Sequence, residues 1–470
     1  MKRDIWFLLA VCFFFFLFRL PSLIEPYWYG DEGIYQVVGS ALKDGRVLYR
    51  DIWDNKPPLL YVMHAIFGPD QYSVRLVSLL FGMGAVIAIF YLAKQLFKDC
   101  AKQFQISVIS TALFAFLFSI PFLEGNIANA ENFMLLPIII AALLIISRFY
   151  FLAGFILGIA LLFKIVAVFD IAAFVTFITI SKTLVAKQNK GFAVVSLLSG
   201  SALPFVGAVI YFWMQNALGT FFEATFFQNV SYVGYKNKFF ISQGLLITKT
   251  ILLSLAVGAV VLKRKILSEP VIFVFLWLFF SLFNAFFSQR PYTHYVIVLL
   301  PSLSLAAGII FFLKKNRNIK IIIVAIAFII TIVQFKLTHP QKMLAYYQNF
   351  IEFITHEKSV EEYLGFFDSN TPRDYFVSYY LRTHTKKEDA VFIWGNSAQI
   401  YTLADKLPPG KYTVAYHISN KSARSETEQS MMVKKPRYVV VLPDSPFPFY
   451  LTNYTEKLTI RDTKIYERIF

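Results

Sequence analysis

Charge is scarce in this chain: Asp, Glu, Lys and Arg make up 16% of its 470 residues, while 57% are hydrophobic. Ordinary soluble domains carry roughly 25% charged and about 45–50% apolar residues, and a water-soluble fold of this length would need more charge on its surface. Cysteine is almost missing. Cys12 stands inside the first apolar run and Cys100 in a short basic loop; neither has metal-ligand spacing, and the pair offers no disulfide framework. There is no glycine-rich phosphate loop of the Walker or dinucleotide type, no internal repeat and no low-complexity segment. No small-x-small cleavage site precedes Tyr27, so the apolar run that follows Met1-Lys2-Arg3-Asp4 reads as a retained span rather than a removed leader.

What is present is apolar residues gathered into blocks. Spans need about 20 mostly apolar residues, and candidates fall at 5–24, 72–97, 105–123, 133–149, 150–168, 168–182, 191–213, 245–263, 270–288, 295–313 and 320–337. The chain is therefore expected to be a polytopic α-helical membrane protein with about 11 spans. The formal net charge of +16 invites a nucleic-acid reading, but the basic residues collect where loops would face the cytoplasm. Lys2/Arg3, Lys94/Lys98/Lys102, Arg148, Lys182/Lys187/Lys190, Lys263/Arg264/Lys265 and Lys314/Lys315/Arg317/Lys320 meet only the acids Asp4, Asp99 and Glu269. The loop 25–71 reverses that balance, with Glu25, Asp31, Glu32, Asp44, Asp51, Asp54 and Asp70 against Lys43, Arg46, Arg50 and Lys56. The positive-inside rule then accounts for the charge, with no nucleic acid involved. It sets the N-terminus inside a cytoplasmic (plasma) membrane, and loop 25–71, the turns at 124–132 and 289–295, loop 214–244 and the tail outside.

Composition changes after Leu337. Residues 338–470 carry charge, turn clusters and no spanning run. Short β-rich runs at 390–394, 412–416 and 437–442 alternate with helix-like stretches at 344–364 and 372–384. The expected division is a membrane domain, 1–337, followed by a soluble extracytoplasmic α/β domain, 338–470.

Chemistry-bearing side chains concentrate on the outer side. From Asp31 onward, Ile34, Val37, Val38, Ala41 and Leu42 follow helical spacing with one apolar face, ended by Gly45. This describes a short helix lying along the interface. Asp31 at its start can be an N-cap or a carboxylate held ionised by the helix terminus and able to act as a general base; the two readings are compatible. Glu32 is expected to face solvent. In Asp54-Asn55-Lys56-Pro57-Pro58 the prolines hold Lys56 extended and start a second interfacial helix. A lysine there suits an anionic lipid headgroup or simply snorkels. Glu131 in the turn 124–132 is either an acid of the site or an exposed turn residue. Arg290 can fork onto phosphate oxygens, and His294 can orient a hydroxyl or satisfy a backbone carbonyl. Lys164 is an ionisable group inside an apolar run, a functional site by default with snorkelling as the competitor.

Gly30-Asp31-Glu32-Gly33-x-Tyr35, then Gly45, Tyr49 and Asp51, then Lys56-Pro57-Pro58-Leu59 resemble the first outer loop of GT-C glycosyltransferases. The nearest group holds protein O-mannosyltransferases and aminoarabinose transferases (glycosyltransferase family 39 and its relatives). Arg290-x-Tyr292-x-His294-Tyr295 before Pro301 resembles a second signature of that group. The resemblance covers 1–337 and implies a GT-C fold and a polyprenyl-phosphate-linked sugar as donor. It implies catalytic roles for Asp31 and Glu131 and a donor-phosphate site of Lys56, Arg290 and Lys164. Glu32, Tyr35, Tyr292 and His294 would support them. Spacing demands no metal, although Asp31 and Glu131 leave a divalent cation open.

The expected reaction is inverting transfer of a monosaccharide to an acceptor hydroxyl on a protein, a lipid or a glycan. Asp31 and at least two cations would meet around the lipid headgroup at the outer rim of the bilayer. A transporter or flippase is the alternative; it predicts inverted repeats and broken mid-membrane helices, which the sequence lacks. A nonenzymatic scaffold leaves the acidic first loop unexplained.

Overall fold

The computed structural model describes residues 2–182, 189–229, 245–288, 292–312, 317–335 and 341–469. Each of the eleven apolar runs falls on a helix. Among the described residues, five helices are long and apolar enough to cross a membrane: Lys2–Leu23, Gln71–Leu96, Lys190–Met214, Leu246–Lys263 and Thr293–Phe312. The other six runs form shorter apolar helices, Gln103–Ser119, Ala130–Ile146, Tyr150–Phe163, Ile165–Ile180, Glu269–Ala285 and Val324–Gln334.

The chain forms two compact units. The first comprises Met1–Ser22, Val77–Ile210 and Phe226–Leu344, and its helices meet through small residues and a few buried polar groups. A methyl at Gly154 would overlap the Leu197 carbonyl, and one at Gly200 the Phe151 carbonyl. Glycine at both positions lets two apolar helices approach backbone to backbone, which is how helices gain contact in lipid. Asp170 accepts a 2.7 Å hydrogen bond from Trp277 Nε1, and Phe174 stacks on Phe273 at 5.6 Å, joining the helices Val168–Ile180 and Glu269–Ala285. The long apolar run from Tyr150 to Ile180 breaks in the middle at Lys164, which is extended at φ −157, ψ 128. The 14-residue and 13-residue helices on either side are each about 20 Å long.

The second unit comprises Leu23–Leu76, Tyr211–Thr225 and Ala345–Phe470. The acidic loop 25–71 thus groups with the C-terminal segment, across the division drawn in sequence at Leu337. Two amphipathic helices form in that loop, Gly30–Lys43 and Pro58–Phe67. Gly45, at φ +88, ends the first, because a left-handed residue after the last turn favours glycine. Gly33 lets the helix Gln399–Leu403 dock: a Cβ there would lie 2.7 Å from the Gln399 nitrogen.

The C-terminal segment folds as the expected α/β arrangement. A four-stranded mixed sheet has the order β1 (Val391–Trp394), β2 (Tyr438–Val441), β4 (Thr463–Arg468), β3 (Tyr454–Ile460). β1 and β2 are parallel, with Val391 opposite Tyr438, joined by a crossover containing the helix Lys421–Lys434. Phe392, Trp394 and Val439 pack on Met431 of that helix to form the core.

Two local expectations fail. Residues 412–416 form no strand; they lead into a 3-10 turn, Ala415–His417. The backbone there is used by loops instead: Trp53 N–H donates to the Lys411 carbonyl and Ala415 N–H to the Gly395 carbonyl. β3 and β4 escape the apolar pattern because they form a largely polar hairpin. Its two-residue turn, Arg461-Asp462, holds positive φ at both positions; that turn usually advertises itself with Asn-Gly or Asp-Gly.

Candidate active site

Each unit contains a polar cluster that includes residues singled out in the sequence. In the second unit, the helix Gly30–Lys43 begins one residue before Asp31. Tyr29 occupies the N-cap position without a side-chain cap, so the N-cap reading of Asp31 is corrected. Asp31 lies in the first turn, where unpaired amide groups still favour a carboxylate. Tyr35 is one turn further on the same face, and its hydroxyl donates to Asp31 Oδ2 at 3.0 Å. Burial first, then the Asp31 charge, push the Tyr35 phenol well above its ordinary range, so it remains a donor.

Lys56 Nζ lies 3.4 Å from the same Asp31 oxygen and 5.3 Å from the Tyr35 ring centre. Its backbone is clamped on both sides. The Lys56 N–H donates to the Tyr61 hydroxyl at 3.1 Å, and the Lys56 carbonyl accepts from the Tyr49 hydroxyl at 2.6 Å. Pro57 caps the following helix from an extended conformation, with Pro58 in its first turn. The loop therefore holds a lysine in place by main-chain bonds while leaving its ammonium, about a quarter exposed, on Asp31.

Glu32 does not face solvent. It is buried, and Arg75 grips it with two bonds, Nε to Oε1 at 3.0 Å and a second guanidinium nitrogen to Oε2 at 2.5 Å. Arg75 also donates to the Glu25 carbonyl at 2.8 Å, and the Glu25 carboxylate accepts from Tyr346 at 2.7 Å and from Trp28. The helical period explains the correction, since Asp31 and Glu32 are about 100° apart around the axis. One carboxylate reaches Lys56 and the other the interior.

In the first unit, Glu131 is buried in the opening turn of the helix Ala130–Ile146, not an exposed turn acid. Lys164, freed from helical geometry by the break it occupies, pairs with it and sits 4.6 Å from the Tyr295 ring centre. His294 stands between two acids: Nδ1 is 2.7 Å from Glu124 Oε2, and Nε2 is 3.8 Å from Glu131 Oε1. Tyr292 stacks on the imidazole at 5.5 Å, and Tyr295 meets it edge-on at 4.7 Å. Thr293 donates its hydroxyl to Glu124.

Asp31, Tyr35 and Lys56 thus come together in one unit, and Glu131, Lys164, His294 and Tyr292 in the other. Glu32 belongs to a separate buried network. Arg290 lies outside the described residues, as do Gln289 and Pro291. Among the described residues, no group of three or more His, Cys, Asp or Glu is placed to hold a metal ion. Sequence reasoning missed Glu124 as the histidine's partner. It also missed Arg75 and Glu25, whose only signal is ionisable residues flanking an apolar run.

A family model described as dolichyl-phosphate-mannose-protein mannosyltransferase matches residues 56–213. The fold is similar to the crystal structure of ArnT from Cupriavidus metallidurans bound to undecaprenyl phosphate. The TM-score is 0.58 at 12% sequence identity, covering 99% of this chain and 98% of that one. No curated protein matches the sequence.

Proposed function

From the premise that this is a polytopic membrane protein of GT-C type, similar in fold to ArnT and matching the mannosyltransferase family over 56–213, we propose that it is an inverting glycosyltransferase. It moves a monosaccharide from a polyprenyl phosphate to an acceptor hydroxyl on the extracytoplasmic face of the plasma membrane. The N-terminus is inside and the C-terminal segment outside. The observation that carries this reading is the Asp31–Tyr35–Lys56 cluster on the first outer loop. A carboxylate at a helix start, beside a lysine fixed by its backbone, supplies a base and a phosphate ligand together.

Asp31 takes the proton of the acceptor hydroxyl while that oxygen attacks the anomeric carbon. The bond from that carbon to the phosphate oxygen breaks, and its electrons leave with the phosphate. Lys56 stabilises the phosphate that departs, so no general acid is required; Lys164 and Arg290 stay as the donor-phosphate ligands that the resemblance implies. An ammonium has three donors, so Lys56 can serve Asp31 and a phosphate oxygen at once. Tyr35 orients Asp31 through its hydrogen bond. Glu131 and His294 hold Lys164 and its surroundings; the buried position of Glu131 supports an orienting role. The acceptor class is a hydroxyl of a protein, a lipid or a glycan, and mass spectrometry of co-purifying lipid-linked sugars identifies the donor.

The test is a donor assay on purified protein. Polyprenyl phosphate bearing a hexose or pentose is supplied with acceptor extracts, and free polyprenyl phosphate is measured. A transferase releases it in step with loss of donor. A flippase moves the intact donor across a vesicle without releasing it, which would overturn the proposal.

A further inference from the structure

His417, in the C-terminal segment, is buried, with its side chain 5% exposed. Its Nε2 faces Asp54 Oδ1 at 3.6 Å, and Trp53 meets the ring edge-on at 4.7 Å. The Trp53 N–H donates to the carbonyl of Lys411, close by in sequence. Nδ1 has no hydrogen-bond partner among the described residues. Asp54, equally buried, accepts from the Tyr61 hydroxyl at 2.6 Å. That same hydroxyl receives the Lys56 N–H. A continuous path of polar contacts therefore runs from His417 through Asp54 and Tyr61 to the Lys56 backbone, and from the Lys56 ammonium to Asp31.

We infer that His417 is a positioning residue: it orients Asp54, which fixes Tyr61 and through it the backbone that aims Lys56 at Asp31 and the donor phosphate. The inference rests on the transferase reading above. Burial pushes the His417 imidazole down to about 4, against the opposing pull of the Asp54 charge. The ring is therefore neutral at pH 7. With Nε2 facing a carboxylate, the proton sits on Nε2, and the imidazole acts as a fixed dipole rather than a mobile cation. The C-terminal segment thereby contributes to the site without touching substrate, and loop 25–71 groups with it in one compact unit.

The test is a double-mutant cycle in the full-length protein, read as release of free polyprenyl phosphate. His417→Leu is expected to lower kcat about tenfold, the cost of one lost buried polar contact. His417→Gln, which keeps a donor near the position of Nε2, should stay within about threefold of wild type. In a Lys56→Met background, His417→Leu should cost nothing more, because the path ends at a residue already removed. Where His417→Leu fails to accumulate in membranes, His417→Asn, whose amide sits short of the Nε2 position, takes its place with the same expected losses. Wild-type kcat in the leucine or asparagine variant overturns the inference. So does equal damage from Gln and Leu, or losses that multiply with Lys56→Met. If the wild type itself releases no polyprenyl phosphate, the transferase reading fails instead.

Discussion

Asp31 and Glu32 are chain neighbours with the same charge, yet the structure gives them opposite surroundings, and Glu32→Ala separates these. The substitution leaves the Arg75 guanidinium buried with its bidentate partner gone. Removing one partner of a buried ion pair costs about 3–5 kcal/mol, because the remaining charge is left uncompensated. Arg75 keeps the Glu25 carbonyl at 2.8 Å and the Glu25 carboxylate at 4.0 Å, so the expected loss lies at the lower end, about 3 kcal/mol. Asp31→Ala, by contrast, removes a side chain that is 35% exposed and is held by the Lys56 ammonium and the Tyr35 hydroxyl, and should cost about 1 kcal/mol. Denaturant unfolding in detergent, followed by tryptophan fluorescence, reads both, since the Trp28 indole donates to Glu25 in the same network. The double variant Glu32→Met/Arg75→Met should recover most of the loss, because it buries apolar groups where two charges had to be desolvated. Glu25 would still accept from Trp28 and Tyr346. A Glu32→Ala protein as stable as wild type would refute the reasoning, as would a double variant weaker than either single one.

Other outcomes follow from the same contacts. Lys164→Met should raise the KM for the donor roughly tenfold, the loss of one charge-assisted hydrogen bond to phosphate. Steady-state kinetics against donor concentration checks this, and an unchanged KM would confine Lys164 to pairing with Glu131. The second unit should lose stability in acid. His417 titrates near 4 when folded, below its ordinary 6.5. Between those values the unfolded chain binds the extra proton, so stability falls as pH drops from about 6.5 to about 4 and is flat above. The contribution is about 3 kcal/mol at most; pH-dependent unfolding that is identical in His417→Gln would contradict it.

The membrane part of the fold was readable because its signal is redundant: an apolar run of adequate length becomes a helix in lipid, with little help from its neighbours. Every candidate span fell on one. The loop helices were readable for a related reason, since Ile34, Val37, Val38 and Ala41 state a face that must be buried, and all four are. The N-cap of that helix was misplaced by two residues, because Asp is so good a cap that it hides a helix whose N-cap position, Tyr29, makes no side-chain cap. Glu32 was misjudged because its partner, Arg75, lies 43 residues away at the mouth of an apolar helix. Nothing local distinguishes a gripped glutamate from a solvated one. The same holds for His417 and Glu124, whose roles depend on contacts that only the folded chain makes. The hairpin of β3 and β4 was missed because its largely polar strands, β3 at the sheet edge, carry little apolar alternation, and their turn lacks glycine.

The central claim is that the Asp31 carboxylate is the base, and Asp31→Asn tests it most directly, because the amide preserves an acceptor for the Tyr35 hydroxyl and for Lys56 but cannot take a proton. With purified wild type and variant assayed side by side for free polyprenyl phosphate, the account predicts intact membrane insertion, donor binding retained, and turnover reduced by a factor of about 10² to 10⁴. Wild-type turnover in the asparagine variant would contradict it.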